Sequence, residues 1–135
     1  MIVMFEAYQR KQRFVIHEHH ALRAGLHYDL RLEHDGILKS WVSRKIPDLV
    51  FDELKKIMLI LTPDHDLDWL KFKGVIDDGY GKGEVKVWDK GTYTLLRWTD
   101  KSIIVKFNGK KIRGIFVLIK TSTNWLFFRK KIKAK

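Results

Sequence analysis

The chain has 135 residues, 45% of them hydrophobic, with eight Phe, five Trp and four Tyr. That suits one domain with a real core and excludes an intrinsically disordered chain. No cysteine is present, which excludes disulfides, zinc–thiolate sites and cysteine nucleophiles, and 27 Lys and Arg against 16 Asp and Glu give a formal charge of +11.

The opening MIVMFEAYQRKQR lacks the apolar run and small-residue cleavage site of a signal peptide. No stretch reaches the ~18 apolar residues of a membrane-spanning helix. The expectation is a monomeric, cytoplasmic protein with no membrane partner. Most of the chain then reads as strands. RFVIHEH (13–19), LHYDLRLEH (26–34) and ILKSWVSRK (37–45) are rich in β-branched and aromatic residues, and HDG is a hairpin signal between the last two. DLVFDELKKIMLIL (48–61) reads as a helical turn before a strand. Further strands are expected at 72–76, 83–89, 92–98, 102–107, 112–120 and 124–130, with DKG, NGK and TSTN as turns. DDGYGKGE (77–84) resembles a phosphate-cradling loop, but neither Gly-Lys-Ser/Thr nor a helix follows, so it reads as a tight connection. Trp88, Trp98 and Trp125 sit in strand patterns and are assigned to the core rather than to base stacking. Short strands about ten residues apart give an all-β fold: one small single-domain β-barrel with little helix, spanning 1–135.

The charge is unevenly spread. Residues 1–89 hold 14 Lys and Arg and 15 acids; residues 90–135 hold 13 Lys and Arg and only Asp100, a net of +12. Such a field draws in polyanions, of which nucleic acid is the commonest.

Five of the six histidines lie between residues 17 and 34: His17, His19, His20, His27 and His34. The sixth is His65. On a strand His27, Asp29, Arg31 and Glu33 share one face. His17 and His19 share a face of the strand before it. If the two strands pair, one of these histidines completes a three-ligand site with His27 and Asp29. Two imidazoles and a carboxylate suit manganese, zinc, iron, cobalt or nickel, with positions left open for water or substrate. A guanidinium such as Arg31 beside a cation needs an anion between them, and phosphate is the natural one. The same logic extends to Lys45.

HEHHALRAGLHYDLRLEHDGILKSWVSRKIP resembles the signature of the 3'-phosphoesterase domain of bacterial DNA ligase D and its free-standing archaeal relatives. DHDLDW, FKGVIDDGYGKGEVKVWDKGTY and NWLFFRK are similar to later segments of that family, so the resemblance covers about residues 11–131 in consistent order. It implies a small β-barrel and a manganese-dependent enzyme, with other divalent metals such as cobalt able to serve. The implied reaction removes a terminal ribonucleoside, then a phosphate, from the 3' end of a primer on its template. The implied partners are DNA ends and an ATP-dependent DNA ligase or a polymerase that uses the healed end. By position, His19, His27 and Asp29 match the metal ligands, Arg31 and His65 match residues that contact the scissile phosphate, and Lys45 matches a functional lysine. His17, Glu33, Trp69, Lys55 and Lys56 are further candidates for substrate contact, with Glu33 at the edge of the site beside Arg31.

The chain also departs from the family. Six residues, ALRAGL, separate His20 from His27 where the family usually has four, which keeps His20 open as the third ligand. His17 stands in place of Gln, Pro63 in place of Glu, Ile57 in place of Arg, Asp48 in place of Gly and Trp69 in place of Tyr. Of an acidic N-terminal segment only Glu6 remains. Two rival readings stay open: a DNA-end-binding module that has lost catalysis, and a non-haem iron oxygenase built on His27, Asp29 and His65.

Overall fold

The computed structural model describes residues 11–131; Glu6 and the last residues of the basic tail lie outside them. The described chain is nearly all strand: β1 (Lys11–Ala21), β2 (Gly25–His34), β3 (Ile37–Ser43), β4 (Lys56–His65), β5 (Gly74–Ile76), β6 (Gly83–Trp98), β7 (Ser102–Gly109), β8 (Arg113–Lys120) and β9 (Trp125–Arg129). The one helical turn expected after β3 is α1 (Asp48–Phe51). A 3-10 turn, Leu67–Leu70, follows β4.

All pairings are antiparallel, in the order β1-β2-β3-β4-β9-β8-β7-β6, and β1 pairs again with β6. The ring therefore closes, leaving β5 on the free side of the first part of β6. Closure follows from alternation. Phe14, Ile16, Leu30, Leu32, Trp41, Leu59, Tyr93, Phe107, Phe116 and Phe127 point inward and form one buried core. Trp125 is buried in it, edge-on to Trp41 with ring centroids 5.7 Å apart, and Trp88 and Trp98 pack half-buried against it. The hairpin signal HDG holds: Asp35 and Gly36 both take positive φ, 51° and 81°, as a primed two-residue turn requires. No helix among the described residues is long and apolar enough to cross a membrane.

The sequence pattern suggested two strands across 83–98, yet β6 is one strand of 16 residues. The DKG segment does not turn because Asp89 is buried and otherwise engaged. Its carboxylate accepts backbone N–H bonds from Lys90, Lys110, Lys111 and Ile112 at 2.8–3.0 Å, stapling the β7–β8 turn onto β6. Register shifts on both flanks bend β6 instead, one against β1 at Ile16/His17 and one against β7 at Leu95/Arg97.

The outer face of β1–β3 is not bare. The 3-10 turn lays Leu67, Trp69 and Leu70 over Val15, Leu38 and Val87, forming a second, smaller apolar cluster outside the barrel. This cap walls one side of the charged face of β2.

Replacing Asp89 with Ala orphans four buried or half-buried N–H groups at once. Urea denaturation is expected to show a loss of about 3 kcal/mol or more; a loss below about 1 kcal/mol would contradict the stapling role.

Candidate active site

The β1–β2 register builds the site. His17 lies opposite Asp29 and His19 opposite His27, with Val15 opposite Arg31, all on the outer face. His20 lies on the other face of β1, where its Nε2 meets Glu18 Oε2 at 2.6 Å. The six residues between His20 and His27 leave His19 opposite His27. Two extra residues in a hairpin add one to each strand, so the facing pairs and the alternation both survive.

His19, His27 and Asp29 bring one ligand atom each within 4.8 Å of one another. Asp29 Oδ2 is 3.8 Å from His19 Nδ1 and 3.6 Å from His27 Nε2. An ion about 2.1 Å from each donor would hold them roughly 3.0–3.4 Å apart, a small adjustment. The remaining ring nitrogens are already used. His19 Nε2–H donates to the Gly81 carbonyl at 2.7 Å, and His27 Nδ1–H donates to the Gly25 carbonyl at 3.1 Å. Each bond fixes a tautomer and leaves the lone pair of the other nitrogen toward Asp29. Burial, with the neighbouring His19, lowers the His27 pKa against the pull of Asp29, so the ring is a neutral ligand near pH 7. The donor set therefore fits a divalent metal.

Arg31 is buried beside this group. Its Nε donates to His17 Nδ1 at 3.1 Å and its Nη1 donates to Ser40 Oγ at 3.0 Å. Nη1 also approaches His65 Nδ1 at 3.1 Å, and the guanidinium carbon sits 5.2 Å from the Trp69 ring centroid. Its carboxylate partner, Asp29, is 3.8 Å away. Burial lowers the Arg31 pKa and Asp29 raises it. His17 is fully buried, its Nε2–H donating to the Phe72 carbonyl at 2.9 Å. Burial, then the charge of Arg31, brings its pKa down to about 4, so it is a neutral acceptor for Arg31. His17 thus meets Arg31 from below and lines neither of the two cavities of the site.

His65 reaches the same face through a bulge. Leu38 pairs with His65 but Ser40 pairs with Thr62, so β4 carries one extra residue there. Pro63 sits within it, where a ladder N–H is dispensable. The extra residue reverses the alternation and turns His65, rather than Asp64, toward Arg31. Burial and then Arg31 lower the His65 pKa. Trp69 stands edge-on to His65, with centroids 5.0 Å apart.

Two cavities meet here. One of about 220 Å³ is lined by His19, Asp29, Arg31, His65 and Trp69 among others. The other, of about 710 Å³, takes in His27, Asp29, Lys45 and Lys56. Lys55 is exposed and does not line either one. Glu33, two residues from Arg31 on the same face, grips Arg13, with contacts to Nε, Nη2 and the backbone N–H at 2.7–2.9 Å. Residue-type reasoning missed Ser40 and the carbonyls of Gly25, Gly81 and Phe72, because a serine or a backbone acceptor carries no signal until the register is known.

Titration with manganese is expected to raise the melting temperature of the wild type and of His20→Ala, but not of His19→Ala or Asp29→Ala. A rise kept by His19→Ala and lost by His20→Ala would reverse the ligand assignment.

The chain is similar to known proteins over most of its length. The profile of the DNA Ligase D 3'-phosphoesterase domain matches residues 17–120. The multifunctional non-homologous end joining protein LigD of Mycobacterium bovis is 42% identical over 125 residues, covering 87% of this chain and 16% of that protein. Its counterpart from Mycolicibacterium smegmatis is 38% identical over 133 residues, covering 88% and 17%. That of Pseudomonas aeruginosa is 40% identical over 116 residues, covering 82% and 13%. The chain thus spans about a sixth or less of the length of these relatives.

Proposed function

The chain belongs to the DNA ligase D 3'-phosphoesterase domain family, and from that premise we propose that it is a manganese-dependent phosphoesterase that heals DNA 3' ends. It removes a 3'-terminal ribonucleoside, a 3'-phosphate, or both, within end-joining repair. One observation carries the reading: a buried guanidinium beside a His-His-Asp group, in a cavity of about 220 Å³. A buried cation whose carboxylate partner stands 3.8 Å off is an incomplete ion pair. A phosphate joining Arg31 to the metal centre completes it.

His19, His27 and Asp29 would hold the metal, which when bound supplies Lewis acidity to a phosphate oxygen. Arg31, fixed by His17 and Ser40, is aimed before substrate arrives and offsets charge that builds on the equatorial oxygens. His65 shares its Nδ1 between two neighbours. When it accepts from Arg31, its one N–H resides on Nε2 and donates a hydrogen bond to the leaving oxygen. When Arg31 turns to a phosphate, Nδ1–H is free to donate to the Pro63 carbonyl at 2.9 Å. Lys45, at the mouth of the larger cavity, adds positive charge toward the strand. The Lys- and Arg-rich last third holds the duplex backbone without reading sequence. A 3'-hydroxyl is the product, and DNA ligases and polymerases are the enzymes that consume it.

The test is turnover of two labelled primer–templates with manganese, one ending in a ribonucleotide and one in a 3'-phosphate. Shortening or dephosphorylation by the wild type, abolished in Asp29→Ala and reduced about 10²–10³-fold in Arg31→Ala, is the expected result. Binding without turnover across manganese, cobalt and zinc would leave a DNA-end-binding barrel and overturn the reading.

His17→Gln keeps a side-chain acceptor for Arg31 and is expected to hold kcat within a few-fold of wild type. His17→Ala frees the guanidinium and should lower kcat about 10–100-fold, with manganese binding unchanged in the same titration. Equal activity of the two variants would remove His17 from the mechanism.

A further inference from the structure

The larger cavity is not accounted for by the chemistry at Arg31 and His65. It adjoins the smaller one, since Asp29 and Thr62 line both. Its lining combines two unlike sets of groups. Met58 and Ile60, from the outer face of β4, are half exposed and give it an apolar wall. Arg44, Lys45 and Lys56 put three cations around it. Tyr80, 73% exposed, presents its ring to the same space.

Tyr80 is not placed by chance of a loose loop. It lies in the connection between β5 and β6. That connection is closed by a Lys82 N–H bond to the Gly79 carbonyl, and its end is tied to the β1–β2 turn by Leu22 N–H donating to Lys82. Gly81, the next residue, is the acceptor for metal ligand His19. β6 tolerates no side chain at its first residue, Gly83, where a Cβ would strike the His20 carbonyl. Opposite, Arg44 holds the turn from its other side through the carbonyls of Ala24 and Leu26. The backbone that carries Tyr80 is thus pinned next to the Gly81 carbonyl that meets His19.

Apolar wall, exposed aromatic ring and surrounding cations together are the makings of a single-strand groove. Bases stack on the ring, phosphates face the cations, and no base edge is read. A terminal base that stays paired offers a face only along the duplex axis, whereas an unpaired base can turn into a cavity and stack on its ring. We propose that this cavity takes the last nucleotide of the substrate strand unpaired from its template, with its base on Tyr80 and its 5'-side phosphate among Arg44, Lys45 and Lys56. The proposal rests on the substrate being a nucleic-acid 3' end, and it adds that the end is opened before the phosphate reaches Arg31.

Equilibrium binding by fluorescence anisotropy, without divalent metal so that nothing turns over, tests it at fixed salt. The probes are DNA hairpins with a recessed 3'-phosphate, identical except that the terminal base pair is matched or mismatched, and the same pair with a 3'-hydroxyl. Unpairing costs least at a mismatch, so the wild type is expected to bind the mismatched end about tenfold or more tightly. Tyr80→Ala is expected to weaken binding of the mismatched end between about fivefold and a hundredfold, while Tyr80→Phe binds as wild type. Equal binding of matched and mismatched ends by the wild type would overturn the proposal. So would a Tyr80→Ala variant that binds both as before. A mismatch preference that persists when 3'-phosphate and 3'-hydroxyl ends bind alike would keep the groove and sink the phosphate reading of the smaller cavity.

Discussion

The alignment of β1 on β2 is the constraint on which the rest depends. His19 faces His27 and His17 faces Asp29, so that these four side chains and Arg31 meet on the outside of a barrel whose inside is sealed by Phe, Leu and Ile. In an antiparallel pair a slip of one residue sends every side chain to the opposite face. Such a slip would bury imidazoles and a carboxylate in the core and expose Phe14, Ile16 and Leu30. The apolar face therefore fixes the register, and the register assembles the site.

Arg31 shows how burial is turned to use. Its guanidinium is held by neutral groups, His17 and Ser40, with His65 and the face of Trp69 alongside. A close carboxylate would have satisfied the charge and closed the site. Asp29 at 3.8 Å is shared instead with two histidines. The cation stays aimed and incompletely paired, which is the state that favours an incoming anion. His17 is the residue that makes this affordable, because its depressed pKa keeps it an acceptor rather than a second positive charge.

Period-two alternation made β1, β2 and β3 legible in the sequence, and HDG gave their turn. Pairing those strands set His17 or His19 beside His27 and Asp29, the resemblance singled out His19, and the fold brings one atom of each of His19, His27 and Asp29 within 4.8 Å of the others. What escaped depends on long-range pairing. Asp89-Lys90-Gly91 has turn chemistry, but a buried carboxylate binding the β7–β8 turn overrides it. The bulge at Pro63, which delivers His65, exists only in the register of β3 on β4. The grip of Glu33 on Arg13 likewise exists only once β1 lies beside β2. His17 had the composition of a contact residue and the burial of a support. Its depth could be known only after the 3-10 turn and Phe72 covered it.

The central claim is a metal centre whose two histidines bind through different ring nitrogens. A crystal of the protein grown with manganese, with anomalous data collected at the manganese edge, examines it directly. The account predicts one ion coordinated by His19 Nδ1, His27 Nε2 and the Asp29 carboxylate, with Gly81 and Gly25 still accepting from the other nitrogens. An ion bound by His20, or one bound away from Asp29, would contradict it.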